Sequence, residues 1–106
     1  MSKFVLVYSG GKMPESEAEQ AAVVKEWEAW YGKLGAAVVD PGNPFTPQVK
    51  TIASDGRVRD GAAGKAASGY TILQADSQSA AVEMAKGCPV LKSGGEISVY
   101  ETFDVM

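Results

Sequence analysis

Apolar residues in this chain occur in short runs that are separated by glycine- and proline-rich breaks. The first run, residues 4–8, is β-branched and aromatic and is followed by Ser9, Gly10 and Gly11, which predicts a strand and then a turn. Its apolar character is continuous rather than alternating, as is typical of a strand that is buried on both faces. We therefore expect residues 4–8 to form a central strand of a sheet.

A long helix is predicted next, because apolar residues recur at steps of three and four. It begins after Met13-Pro14, since proline fits the first turn of a helix, and Gly35 is its expected C-terminal stop. The apolar positions are Val23, Val24, Trp27, Trp30, Tyr31 and Leu34. An aromatic stripe of this spacing is first of all a core face. We interpret it as core and keep a ligand platform as the alternative.

The rest of the chain predicts three further main strands, a hairpin and a second helix. In chain order these are a strand at 36–40, a rigid irregular loop at 41–45, a hairpin at 49–53 and 57–59, a strand at 70–73, a helix capped by Asp76 or Ser77 that runs through Ala85, and a strand at 96–103. The Asp55-Gly56 pair supplies the tight turn of the hairpin. The main elements therefore follow the order β-α-β-β-α-β.

This order is the ferredoxin-like plan of the α+β class, an antiparallel four-stranded sheet with two helices on one face. Two helices cover only one side of such a sheet, whereas the strand at 4–8 is apolar on both sides. A second copy of the chain is the simplest cover for the other side. We therefore expect a homodimer whose sheets face each other and enclose a cavity, a dimeric α+β barrel.

Composition narrows the functional class. With 106 residues, of which 45% are hydrophobic and 22% are charged, the chain is expected to form a single domain, residues 1–106. The net charge is −3 and the basic residues are spread along the chain, so there is no basic stripe for a nucleic-acid partner. The apolar run at 4–8 is shorter than a signal peptide or a membrane span. We therefore expect a cytoplasmic protein without a membrane partner.

The residue types give little support to metal or cofactor chemistry. The chain has no histidine and one cysteine, which leaves neither an intrachain disulfide nor a plausible zinc or copper ligand set. Cys88 has no imidazole to activate it and is expected to be a small buried hydrophobe rather than a nucleophile. Gly10 and Gly11 lack the spacing of a phosphate-binding loop. No metal and no cofactor are predicted.

Asp40 is the best single candidate for a functional carboxylate. It ends an apolar strand directly before the stiff loop at 41–45, a position where desolvation can raise a carboxyl pKa and adapt the group to proton transfer. The alternative is an aspartate that accepts hydrogen bonds from the backbone of its own turn.

The last strand offers a second group of candidates, since side chains alternate between the two faces of a strand. Ser98, Tyr100 and Thr102 share one face, and Ile97, Val99 and Phe103 share the other. If the apolar set packs against the helices, the hydroxyl set faces the cavity of the expected dimer and can orient a small ligand. The alternative is an ordinary solvated strand face.

Three parts of the sequence carry a family resemblance: residues 3–8, Asp60-Gly61, and residues 85–89 together with 94–99. Together they resemble the YCII-related domain, also called the DGPF domain, over essentially the whole chain. The resemblance implies a small bacterial domain with a dimeric α+β barrel fold, a suspected ligand or active-site cleft and no firm biochemical role. The Asp-Gly-Pro-Phe signature here reads Asp60-Gly61-Ala62-Ala63. Some relatives are suspected of pairing a histidine with an aspartate, and that mechanism does not transfer to a chain without histidine.

Three functional hypotheses follow. The leading one is a homodimeric module that binds a small, partly apolar organic molecule. The first alternative is an isomerase- or lyase-like enzyme, by analogy with other dimeric α+β barrels, and the second is a protein-interaction accessory domain. A cavity lined by Asp40 and hydroxyl groups favours the enzyme, whereas a cavity filled by side chains favours the interaction role.

Overall fold

The computed structural model describes residues 1–105 and has the α+β architecture that the sequence predicts. In chain order its elements are β1 (Ser2–Ser9), α1 (Glu17–Leu34), β2 (Val38–Asp40), β3 (Lys50–Ile52), β4 (Val58–Asp60), β5 (Ala67–Ala75), α2 (Gln78–Ala85) and β6 (Glu96–Glu101). Single 3-10 turns lie at Gly35–Ala37 and Pro89–Leu91.

Four strands form the main sheet in the order β2-β5-β1-β6, and each neighbouring pair is antiparallel. The first strand is therefore central, as its continuous apolar character predicts. Strands β3 and β4 pair only with each other in a separate two-stranded sheet, which is the predicted hairpin. The arrangement is compatible with a ferredoxin-like fold.

The helix ends depend on side-chain caps and a glycine. Helix α1 begins at Glu17 rather than directly after Met13-Pro14, because the hydroxyl of Ser16 caps it by accepting a backbone N–H three residues on, at 3.1 Å. Gly35, at φ +58°, ends α1 as expected. Ser77 caps α2 in the same way as Ser16 caps α1. No helix within residues 1–105 is long and apolar enough to cross a membrane.

The core lies between the main sheet and the two helices. Its buried apolar residues are Phe4, Leu6 and Tyr8 of β1, Leu73 and Ala75 of β5, Trp30 of α1, Ala81 and Ala85 of α2, and Cys88. The indole N–H of Trp30 donates to the carbonyl oxygen of Met84 at 2.9 Å, which links α1 to α2. The burial of Cys88, only 2% exposed, confirms that it is a buried apolar residue.

The opposite face of the main sheet, called the open face below, has no helix packed on it within residues 1–105. Val5 and Ile72 are cross-strand neighbours at its centre, Val7 lies two residues along β1, and all three are half-buried. The chain is correspondingly flat, with dimensions of 44 × 41 × 18 Å. Strand β1 therefore carries apolar side chains on both faces, but a single chain fully buries only those that face the helices.

Candidate functional site

A cleft of about 630 Å³ lies where β1 ends and β5 begins, on the helix side of the sheet. Helix α1 forms one wall through Val23 and Trp27, and the loops at 10–14, 41–44 and 89–93 close the other sides. Its size falls within the range of small-molecule sites, roughly 300–1,000 Å³. These loops are far apart in the sequence, so the cleft is a product of the fold.

Aromatic rings form the wall of the cleft on the core side. The ring of Trp27 meets Tyr8 edge-on at a centroid distance of 5.5 Å and an angle of 68°, and it meets Trp30 at 5.7 Å and 80°. Tyr31 lies 5.8 Å from Trp27 in a tilted arrangement. Edge-to-face contacts of this kind are the preferred geometry of aromatic pairs. Trp27 is therefore held in place by its neighbours while it stays half-buried and lines the cleft.

The aromatic stripe of α1 thus divides between two roles. Trp30 is only 5% exposed and belongs to the core, which confirms the core interpretation for that residue. Trp27 and Tyr31 pack against the same core but also line the cleft. The alternative interpretation, a ligand platform, is therefore compatible with the positions of these two residues.

A chain of hydroxyl groups fixes the loop at 41–44 to the sheet below it. The hydroxyl of Tyr8 donates to Thr71 Oγ1 at 2.6 Å, and Thr71 Oγ1 donates to the carbonyl oxygen of Pro41 at 2.9 Å. The hydroxyl of Tyr31 donates to the same carbonyl at 3.0 Å. Thr71 is fully buried, so these bonds satisfy a polar group that would otherwise be costly to bury.

Burial also keeps these phenols neutral. Desolvation raises the pKa of Tyr8 far above its ordinary value of 10.0, and it raises the pKa of Tyr31 as well. Burial raises the pKa of the Cys88 thiol for the same reason. These three groups are hydrogen-bonding and packing elements at neutral pH rather than ready bases or nucleophiles.

Gly42 permits the close approach of the loop to β5. Its φ of +71° is in the left-handed region, and a Cβ atom added there would lie 1.8 Å from the carbonyl oxygen of Tyr70. The neighbouring Pro44 forms an isolated bridge with Gly69. A glycine at position 42 is therefore required for this wall of the cleft.

Asp40 lies beside this loop, and both of its carboxylate oxygens have protein partners. Oδ1 accepts the backbone N–H of Gly42 at 2.9 Å, and Oδ2 accepts the hydroxyl of Tyr70 at 3.3 Å. The register of β2 shifts between Val38 and Asp40, so Asp40 pairs with Ile72 on the open face. The Asp40 carboxylate raises the pKa of the Tyr70 phenol. The turn contact matches the alternative role that the sequence allowed for Asp40.

The other three predicted site residues lie far from Asp40. Ser98 and Tyr100 pair with Val7 and Val5, which places them on the open face along the β6 edge, with β1 and β5 between them and β2. Thr102 lies beyond the end of β6, where its N–H and its hydroxyl both donate to the carbonyl oxygen of Lys3 at 2.9 and 3.0 Å. The four candidates therefore do not form one pocket within a single chain.

Two details of the last strand differ from expectation. It ends at Glu101 rather than Phe103, although the backbone N–H of Thr102 continues the register of β6 with β1 by donating to the carbonyl oxygen of Lys3. Ile97 and Val99 pack against the core as expected, but Phe103 is 82% exposed and does not join them. The apolar set therefore consists of two residues.

Asp60 and Gly61, one of the three parts of the sequence on which the family resemblance was based, lie at the base of the hairpin. Asp60 forms an exposed ion pair with Lys50, and the carbonyl oxygen of Gly61 accepts the hydroxyl of Thr51 at 2.7 Å. Neither residue lines the cleft. No group of three or more histidine, cysteine, aspartate or glutamate side chains within residues 1–105 is arranged to hold a metal ion.

Local sequence patterns do not predict the cleft. Residues 4–8 predict only a strand, and Gly10 and Gly11 predict only the turn that follows it. The one sequence signal for the cleft is the aromatic stripe of α1, for which a ligand platform is the alternative to a core face. A scan against models of protein families found no match, and a search of curated proteins found no similar sequence.

Proposed function

We propose that the protein binds a small, planar and partly apolar organic molecule in the cleft described above. The half-buried ring of Trp27 supports this proposal most directly, because it offers an aromatic surface inside a concave space of about 630 Å³. The space is open rather than filled by side chains, which favours a small ligand over a protein-interaction role.

The contacts around Trp27 make it a suitable binding surface. Tyr8 and Trp30 hold the ring edge-on, so little side-chain freedom is lost when a ligand packs on it. Val23 and Val90 add apolar surface to the cleft. A planar ligand gains both apolar burial and an aromatic contact there.

Calorimetric titration with naphthalene-2-carboxamide, a neutral planar probe, tests this proposal. We expect measurable binding to the unmodified protein and a loss of about tenfold in affinity for Trp27→Leu, since an aromatic pair contributes roughly 0.5–1.5 kcal/mol beyond its buried area. Phe103→Leu is the matched control and should leave the affinity unchanged, because Phe103 is 82% exposed and does not line the cleft. Equal affinity of Trp27→Leu and the unmodified protein, or no binding by either, would refute the proposed site.

We also propose that the protein is a homodimer in which the open faces of two chains pack together, as in a dimeric α+β barrel. Val5, Val7 and Ile72 form an aliphatic centre on this face, and Tyr100 beside them is 59% exposed. A symmetric contact would bury these residues against their own copies. The family resemblance supports the same assembly.

Sedimentation at micromolar concentration distinguishes this dimer from a monomer of 11.1 kDa. We expect Val7→Asp to shift the protein to monomer, because it places a charge in the centre of the contact. Val82→Asp makes the same chemical change on α2, at a residue that is 36% exposed, and should leave the dimer intact. An unmodified protein that sediments as a monomer would exclude this assembly.

A further inference from the structure

One corner of the cleft has backbone donors without acceptors. Gly10 and Gly11 have φ values of +74° and +91° and line the cleft. Neither amide N–H is bonded to a carbonyl oxygen of residues 1–105. Successive amides in a glycine turn can bind an anion or a carboxylate oxygen. The turn after β1 therefore offers two hydrogen-bond donors at the edge of the proposed ligand site.

The same corner is fixed in position by the turn that precedes β6. The backbone N–H of Lys12 donates to the carbonyl oxygen of Ser93 at 3.0 Å. Gly11 packs so closely there that an added Cβ would lie 2.9 Å from Ser93 Oγ. The backbone at 10–12 is thus held against the turn, and Lys12 is placed at the rim of the cleft.

Lys12 and Lys92 both line the cleft, and Lys12 is the one available to an anion at this corner. The ammonium of Lys92 lies 3.3 Å from the carboxylate of Glu26. Within residues 1–105, no carboxylate lies within 4.0 Å of the Lys12 ammonium. Glu28 also lines the cleft, but it is rotated about 200° from Glu26 around α1 and therefore lies on the opposite side of Trp27 from Glu26.

We infer that the ligand of this cleft is a small aromatic acid whose anionic group binds the amides of Gly10 and Gly11 and the ammonium of Lys12. This inference rests on the proposed binding of a planar ligand beside Trp27. One cation and two amide donors match a single negative charge, such as a carboxylate. The aromatic wall and this corner belong to one continuous cleft, so one molecule that fills the cleft can contact both.

Paired titrations with naphthalene-2-carboxylate and naphthalene-2-carboxamide test this inference, because the two probes share their shape and differ in charge. We expect the carboxylate to bind the unmodified protein at least about tenfold more tightly, as is typical of charge-assisted hydrogen bonds. Lys12→Gln should remove most of that preference without changing the affinity for the carboxamide, and Lys12→Arg should retain it. Lys33→Gln, at an exposed lysine at the end of α1, is the matched control.

The outcomes separate the two proposals. Equal affinity for both probes, or a carboxylate preference that survives in Lys12→Gln, would overturn the inferred anion site and leave the planar-ligand site standing. Failure of both probes to bind would refute the proposed function and with it the inference. Weaker carboxylate binding at higher salt, with unchanged carboxamide binding, would support the anion site further.

Discussion

Replacing Gly42 with alanine should destabilise the protein strongly, because two separate costs fall on one residue. The backbone at φ +71° is unfavourable for an L-amino acid with a side chain, at about 1–2 kcal/mol. The new methyl group would also meet the carbonyl oxygen of Tyr70 at 1.8 Å. Because this obstacle is backbone rather than the end of a flexible side chain, the loop at 41–44 has to move away from β5.

That movement breaks hydrogen bonds that hold the loop. The bond from the Gly42 N–H to Asp40 and the bonds from Thr71 and Tyr31 to the Pro41 carbonyl oxygen are 2.9, 2.9 and 3.0 Å long. Each such bond contributes about 1 kcal/mol. With the backbone cost included, we expect Gly42→Ala to lower the free energy of unfolding by about 4–5 kcal/mol.

Urea denaturation followed by circular dichroism measures this change, provided that the slope with denaturant stays constant between variants. Gly64→Ala is the matched control: Gly64 has φ +81°, but an added Cβ there meets no atom within 4 Å. It should lose only the backbone cost, about 1–2 kcal/mol. If Gly42→Ala is no more destabilising than Gly64→Ala, the tight seating of the loop on β5 is wrong.

Three further predictions concern the aromatic residues and Asp40. Trp30→Ala should lower the free energy of unfolding by about 3–5 kcal/mol, because Trp30 is buried in the core. Trp27→Ala should lower it by clearly less, since Trp27 is half-buried. Equal losses in chemical denaturation would contradict the assignment of Trp30 to the core and Trp27 to the cleft wall. The raised pKa of Tyr8 keeps its phenol protonated in the folded protein at a pH where the same group ionises in the unfolded chain, so the free energy of unfolding should fall as pH rises above 10.0. Tyr8→Phe should reduce the slope of the free energy of unfolding against pH by up to about 1.4 kcal/mol per pH unit. An unchanged slope in urea denaturation at alkaline pH would exclude this contribution. Asp40→Asn should lower the pKa of Tyr70 toward the ordinary value of a tyrosine, because the Asp40 carboxylate is the main cause of the raised pKa of Tyr70. An ultraviolet titration in which no tyrosine pKa differs between Asp40→Asn and the unmodified protein would argue against the contact between Asp40 and Tyr70.

The elements of this fold were largely predictable because their signals are local. The spacing of apolar residues in α1, the run in β1 and the Asp55-Gly56 turn each depend on neighbours within a few residues. Boundaries were less accurate. The strand predicted at 70–73 is Ala67–Ala75, since pairing with β1 along its whole length extends it through polar and small residues that have no strong strand preference.

The face on which a residue lies was predictable only where the strand is regular. Alternation placed Ser98 and Tyr100 correctly on one face of β6. The register shift next to Asp40 was not visible in the sequence, and it moves that carboxylate to the open face. The predicted dimer remains a prediction, since a single chain shows only that the open face is partly exposed.

The sequence by itself therefore determined the α+β class, the order of the elements and the burial of Trp30 and Cys88, because helical and strand periods are set by residues close together in the chain. The tertiary structure alone decided that a cleft exists and which residues line it. Tyr8 and Thr71, whose hydroxyl groups meet at 2.6 Å, are 63 residues apart, and the loop at 41–44 reaches them only when β2 and β5 pair. No local pattern encodes such a meeting, because it depends on the geometry of the whole sheet.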